Sequence, residues 1–492
     1  MQDYIVVGGG IGGVVAYSIL KKLGKKVLLF EKLDYLGGCA GTFKKDGLFY
    51  NVGASTLVGL DENLPLDILL KILDIDKNTI PVLPIDPAIV VYTKDKVINR
   101  YKDFERAFEE IDKNFPYKNN KNLWNRVKKV STNNWQNIYK LLPFNPKNYP
   151  DLLKKVITNL DYFLSGIKDS LMTAEKVIRH YIPDPDEDYK AFLNSQILMA
   201  TQCYWDEVNF SFASMGLTYP NLSNYYVKGG MSNFLESIVK DDKNVLKKVK
   251  VKSISRVRDI FEVKTNKGEF YTKKVILNRT IWDYCELLDE SLKDSFCEVS
   301  KKKYSKLWSS ATLYFAVKDE NNLLSKHHYQ ILHDKNPYTD SYSFFVSVAD
   351  PCDSVEGYKS ITISTHCKIE LWENLSKEEY TEKKEKLKEF ILENLYKKIP
   401  QFRMLPKTDV MIGTPNTFNR YTGRYKGTVG GIPLRRKYTM LNYPMGITPI
   451  KGLYLVGDSV FPGQGYPGVT VGVFNLLLQV EEDFREVFYR YI

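Results

Sequence analysis

Five glycines occupy six positions in the run Gly8-Gly9-Gly10-Ile11-Gly12-Gly13. The pattern G-x-G-x-x-G falls on Gly8, Gly10 and Gly13, and its chemistry is the binding of a pyrophosphate. Gly8 permits a tight turn, Gly10 lets the backbone approach the phosphates, and Gly13 lets a helix pack closely on the strand before it, with Gly12 in the same loop. The free N–H groups and positive dipole end of the helix then stabilise the negative charge without a basic side chain. Glu31 follows 18 residues after Gly13, with Lys32 beside it. A carboxylate at that distance accepts hydrogen bonds from ribose hydroxyls, so the motif predicts an adenine dinucleotide.

These residues need a strand, a turn, a helix and a second strand to hold them. Tyr4 to Val7 reads as a short buried strand, Val14 to Leu23 as the helix and Lys26 to Phe30 as the next strand. The uncharged stretch Tyr4 to Leu20 is neither a secretory leader nor a membrane span on this reading. It is too rich in glycine, and its lysines (Lys21, Lys22, Lys25 and Lys26) follow the apolar run instead of preceding it. Two more segments exceed the needs of a nicotinamide dehydrogenase. Gly37-Gly38-Cys39-Ala40-Gly41-Thr42 comes just after Glu31 and leads to Gly53 and Ala54. Near the far end, Gly452 to Asp458 is an apolar strand closing on the pair Gly457-Asp458, followed by a loop from Phe461 to Gly468 and a helix from Val469.

With these motifs the chain resembles the branch of FAD-dependent, amine-oxidase-like oxidoreductases that contains phytoene desaturases, carotenoid cis-trans isomerases and retinol saturases. The match covers about the first 60 residues, Lys228 to Asn278, and Gly423 to Leu478. The resemblance implies an α/β fold: a discontinuous Rossmann-type FAD-binding domain, glutathione-reductase-like, interleaved with an α+β substrate domain. It assigns residues 1–85, 222–290 and 440–492 to the FAD domain, and 86–221 and 291–439 to the substrate and membrane-facing domain. It further implies non-covalent FAD, with Gly37, Gly38 and Thr42 at its phosphates and ribityl chain and Val251 at the adenine. Asp458 would bond a ribityl hydroxyl, and the helix near Gly468 and Val469 would point its positive end at the flavin. Many amine oxidases carry an arginine where Cys39 stands here, a departure towards the carotenoid isomerase side. Cys39 reads better as a small packing residue than as a covalent or redox group. Tyr466, between Gly465 and Pro467, is the candidate for touching flavin or substrate, or else for packing under the cofactor. The task of Arg420 and Arg424 is open.

Composition fits this picture. The chain has 492 residues, 43% of them hydrophobic, with a net charge of +11, which excludes disorder and demands more than one core. Its six cysteines form no CxxC pair, so reduced thiols are expected, in a cytoplasmic setting. His327, His328 and His333 cluster without a metal-ligand pattern and read as surface or turn residues, so no metal is predicted. Lys118 to His180 holds twelve basic against four acidic residues, interleaved with Trp124, Trp135, Leu141, Leu142, Phe144 and Phe163. That mixture suggests peripheral contact with an anionic membrane surface in preference to nucleic acid, against the plainer reading of a solvated helix face. Alternating strands are expected at Ala311 to Val317, Tyr342 to Val348 and Ser360 to His366, and a solvated helix at Lys377 to Lys398.

The resemblance implies a lipophilic substrate whose C=C bonds are desaturated, saturated or isomerised in an apolar tunnel. An amine-oxidase-like enzyme on a soluble amine, or a flavin-bearing lipid-binding protein without turnover, are the alternatives.

Overall fold

Short β-rich segments from three distant parts of the chain meet in the first sheet of this computed structural model, which is described for all residues except 146, 294, 439 and 440 and the side chains of 162, 163 and 165. Gly268–Leu277 lies at the middle, parallel to Gln2–Val7 on one side and to Leu453–Leu455 on the other. Val27–Phe30 and Val245–Leu246 extend the parallel part, while Ile260–Thr265 and Val251–Val257 form an antiparallel meander with the start of the central strand. The parallel strands are almost continuously apolar (Tyr4 to Val7, Val27 to Phe30, Val275 to Leu277) because helices cover both faces of such a sheet. One of these is Ile11–Lys22, which begins at the glycine loop; another is Gly465–Val480, buried along nearly its whole length. The expected helix start at Val469 is therefore four residues too late, and Tyr466 sits in the first helical turn, not in a loop. Pro467 misled the reading, since proline is well tolerated in a helix's first turn.

The second sheet has seven strands in the spatial order Met411–Gly413, Trp308–Lys318, Tyr358–Lys368, Ser343–Val348, His328–Leu332, Ile89–Tyr92 and Val97–Arg100. The three expected strands are present, and the last two strands come from a stretch that reads mainly as helical downstream. Direct cross-strand partners share a face, so the register sorts the side chains into two sets. One face carries Leu313, Phe315, Ile361, Ile363, Val346 and Ile331 and packs against Leu387, Ile391 and Leu395 of the helix Lys377–Lys398. Those three leucine and isoleucine positions recur every four residues, which gives the otherwise charged helix one buried stripe. A capping box between Ser376 and Glu379 fixes its start. The opposite face of the sheet is polar and looks towards the interior of the molecule.

Two readings are corrected by the fold. His328 is no surface residue: it lies inside a strand at 2% exposure, and burial pushes its imidazole down to about 3. His327 stacks on Tyr226. Cys285 and Cys297, expected as free thiols, form a disulfide that ties the short turn Tyr284–Leu287 to the helix Phe296–Lys303. A search for close CxxC spacing had no way to find a pair twelve residues apart. The proposed boundary at 439/440 falls outside the described residues.

Candidate cofactor and substrate site

Gly13 shows how the first loop is built. A Cβ there would stand 1.9 Å from the carbonyl oxygen of Gly8, so only glycine lets the helix sit on its strand. Gly8 itself has φ of +101°, a region that favours glycine. The helix begins at Gly10 with no side-chain cap and no acidic residue in its first turn, leaving its N–H groups for an anion. Glu31 braces this loop from below. Its carboxylate accepts from the Gly9 N–H at 2.7 Å and the Leu33 N–H at 2.8 Å. Burial raises its pKa, against the pull of those backbone donors.

Asn278, at the end of the central strand, ties the loop to the far end of the chain. With its amide oxygen accepting from the Gly10 N–H (3.0 Å) and its nitrogen donating to the Val456 carbonyl (3.3 Å), it bridges two segments distant in sequence. A Cβ on Gly12 would meet the Gly457 nitrogen at 3.1 Å, so the two glycine motifs touch. Sequence reasoning noted the strand ending at Asn278 but not this side chain; an amide directly following a buried apolar strand was the available signal.

These parts open on one cavity of about 1450 Å³. Gly8, Gly10, Gly12, Glu31 and Lys32 line it, as do Gly37, Gly38 and Cys39. Val251 is on its wall with Val249, and further along come Gly53, Ala54, Gly457, Asp458, Tyr466, Gly468 and Val469. Two expected contacts are not on this wall. Gly13 serves packing alone, and Thr42 spends its groups inside the protein: its hydroxyl donates to Asn51 and accepts from the Ser232 N–H, and its N–H donates to the Ser232 hydroxyl. The close approach of Gly230, whose Cβ would lie 2.4 Å from the Thr42 methyl, makes that position a latch between two loops.

Asp458 is not free either. Arg424 reaches both of its carboxylate oxygens, at 2.7 and 2.8 Å, and the pairing raises the guanidinium pKa despite burial. The task left open for Arg424 is thus the orientation of Asp458 at the cavity wall. Burial also pushes the Cys39 thiol up, opposite to the shift that a reactive thiolate needs. Tyr466 is 3% exposed, packs edge-on against Phe234 and has a hydroxyl with no hydrogen-bond partner among the described residues. Among the described residues, no group of three or more His, Cys, Asp or Glu could hold a metal ion.

Beyond the second glycine motif the walls change. Trp135, Phe144, Met199, Phe212 and Met215 make an apolar side that continues to Leu152, Val156 and Ile167 on two helices, Tyr149–Thr158 and Leu160–Leu171. The outer face of this helix pair carries Tyr149, Leu153, Ile157, Leu164 and Leu171, all between 59% and 75% exposed. The exposed apolar surface of the basic stretch is therefore here. Trp124, Leu141, Leu142 and Phe144, expected as its tips, are buried core, and Trp135 lines the cavity; the side chain of Phe163 lies outside the described residues. The same helical stretch offers two apolar stripes, and sequence alone does not say which one faces inward.

The fold is that of the amine-oxidase-type flavoproteins. Putrescine oxidase, in a redesigned variant, superposes with a TM-score of 0.63 over 99% of both chains at 14% identity. An oxidoreductase from Methanosarcina mazei gives 0.60 over 96% of this chain and 99% of that one at 17% identity. The family description "NAD(P)-binding Rossmann-like domain" matches residues 6–72. Sequence similarity is more particular than shape. The chain is 29% identical to the chloroplastic prolycopene isomerase of Arabidopsis thaliana over 94% of its length and 80% of that protein's, and 25% identical to a 1-hydroxycarotenoid 3,4-desaturase of a Flavobacterium over 95% and 96%. By sequence, over nearly its whole length, the chain is thus similar to an isomerase and a desaturase.

Proposed function

We propose that this protein binds FAD non-covalently and desaturates, saturates or isomerises C=C bonds of a polyene isoprenoid taken from a membrane surface. The observation that carries the proposal is the single cavity. At about 1450 Å³ it exceeds the ~300–1,000 Å³ of an ordinary small-molecule site, leaving room for a long second molecule beside a dinucleotide. It also runs from the glycine loop to a helix pair with an exposed apolar face. A carotenoid isomerase and a carotenoid desaturase among the relatives support the same substrate class.

The residues present fit FAD. The uncapped helix at Gly10 would meet the pyrophosphate, and the lone pairs of Glu31 not used by Gly9 and Leu33 would accept from ribose hydroxyls. Asp458, held by Arg424, would accept from a ribityl hydroxyl, and the N-terminus of Gly465–Val480 would favour negative charge on the ring. When bound, FAD supplies exchange of hydride or electrons with carbon, chemistry outside the reach of these side chains. The protein's own part is to exclude water, to hold a chain along the apolar wall and to place Tyr466 beside the reacting region. Residues 1–85, 222–290 and 440–492 make the cofactor part of this scheme; 86–221 and 291–439 make the substrate part, in keeping with Ile89–Arg100 joining the second sheet. The lysines flanking the exposed hairpin meet lipid phosphates while its apolar face enters the headgroup boundary. The amine reading has similarity of fold alone behind it.

The test is direct. Purified protein should be yellow, and its reduced form should change the absorption spectrum of a poly-cis or all-trans polyene presented in liposomes. A folded preparation unable to take up FAD, or a flavoprotein inert towards every polyene but releasing peroxide with amines, would refute the proposal.

A further inference from the structure

The second sheet presents the wrong face for a hydrocarbon. Its side against the helix Lys377–Lys398 is mainly apolar, while its cavity side carries Ser310, Ser364, His366, Ser343 and Gln330, with Phe345 among them, on four neighbouring strands. Continuing across the same face, the register places Arg100 opposite Ile89, itself a wall residue.

Part of this polarity has a structural use. Ser347 bonds Ser55, Ser360 donates to the Phe49 carbonyl and Tyr314 to the Val52 carbonyl, all in the segment leading to the cofactor loop. Ser310 donates to the Thr365 carbonyl, and Gln330 accepts from Gln196 and donates to the Ser195 carbonyl. Ser364 and His366 line the cavity, and their side chains take no hydrogen bond among the described residues, although His366 packs edge-on against Trp308. Burial pushes His366 down to about 4, so it stands there as a neutral imidazole able to donate one hydrogen bond.

Arg100 gives this face a sign. It is fully buried, donates to Gln196 (2.8 Å) and to the Leu217 carbonyl (2.5 Å), meets no carboxylate, and its Nε has no partner among the described residues. Gln196 passes the polarisation on by donating to Gln330, and both amides are on the cavity wall. A buried cation without a counter-charge is costly in a protein interior. An electron-rich oxygen in the cavity would offset that cost.

We propose that the molecule held here is a long apolar chain with one oxygen-bearing end, a carbonyl or carboxylate, and that this end docks against Ser364 and His366 while the chain lies along the apolar wall towards the helix pair. This rests on the polyene reading and narrows it: a pure hydrocarbon would leave the side chains of Ser364 and His366 dehydrated and unpaired, a cost its binding would have to overcome.

The FAD-loaded protein titrated with all-trans lycopene and with an apo-lycopenoic acid, in the same detergent and followed by flavin absorbance, tests it. The acid should bind at least about tenfold more tightly, the worth of one hydrogen bond to a charged group. Ser364→Val and His366→Leu, both at the cavity surface, should each cut affinity for the acid about fivefold or more and leave lycopene within about twofold. Equal affinity for the two ligands, or a preference that survives both substitutions, would overturn the inference. Lycopene converted without any preference for the acid leaves the polyene function standing and sinks this inference alone, whereas a flavin perturbed by neither ligand sinks both.

Discussion

The two ends of the cavity are made of different material. At the end proposed for the cofactor, backbone makes the wall: glycines at 8, 10, 12 and 457 bring N–H groups and chain turns together, and the polar side chains mostly brace other parts of the protein. At the sheet end, side chains from four strands define the surface, and the backbone is spent on the ladder. Backbone sites tolerate no added atom; side-chain sites tolerate exchange so long as burial and pairing are kept. Each of the following measurements presses on that contrast, from the largest expected effect down.

The second sheet should fail most sharply where a buried charge loses its partner. Lys359 and Asp319 pair at 2.9 Å with side chains at 3% and 0% exposure. Lys359→Ala is expected to cost about 3–5 kcal/mol in urea unfolding, and adding Asp319→Asn should recover part of it. Acid should weaken the same pair. Burial alone would raise the Asp319 pKa, but hydrogen bonds from Lys359 and the Leu323 and Leu324 N–H groups bring it below the usual carboxylate value. Its stabilising contribution is full above the unfolded pKa of about 3.9 and is lost as pH falls through the lower folded value. The advantage of wild type over Asp319→Asn should therefore shrink below about pH 4, and an unchanged gap at pH 3 would contradict this assignment.

At the cofactor end, Gly13→Val should cost about 3 kcal/mol in thermal unfolding and yield colourless protein, because the new side chain meets the Gly8 carbonyl. Normal flavin content in that variant would remove the contrast altogether. Asp458→Ala and Glu31→Ala act on side chains in a backbone site, so each should weaken FAD retention by about ten- to a hundredfold, read by ultrafiltration. Full retention in both would refute the placement of the cofactor. The smallest effect belongs to the helix pair. Leu164→Ser with Leu153→Ser should lower co-sedimentation with anionic liposomes by about tenfold with no change in FAD content. Raised salt should lower it further, by screening the lysines.

The same contrast explains what could be read from the sequence. Gly8, Gly10, Gly13 and Glu31 announced the cofactor end because backbone geometry fixes both their type and their spacing within one short segment. The pair Gly457-Asp458 did so by resemblance. Thr42 reads as a cofactor contact, whereas its hydrogen bonds go to Asn51 and Ser232 in other segments, and a hydroxyl bonding inward looks the same in sequence as one bonding a ligand. The polar face was invisible for a related reason. Ser310, Ser364, Ser343 and Gln330 come from four strands whose register is set by tertiary pairing, and alternation along any one strand shows two faces but not which is inside. The apolar tips of the basic stretch were mistaken in the same way, with Trp124 and Phe144 buried and Leu153 and Leu164 outside.

Asn278 has a consequence for how the molecule comes into being. It clasps Gly10 from the start of the chain and Val456 from close to its end, and Gly12 rests on Gly457. A growing polypeptide on the ribosome has the first half of this clasp long before the second exists. Its glycine loop must wait, open, through most of translation. The clasp can close only after translation has passed residue 457, so the final shape of the loop records how far synthesis has gone.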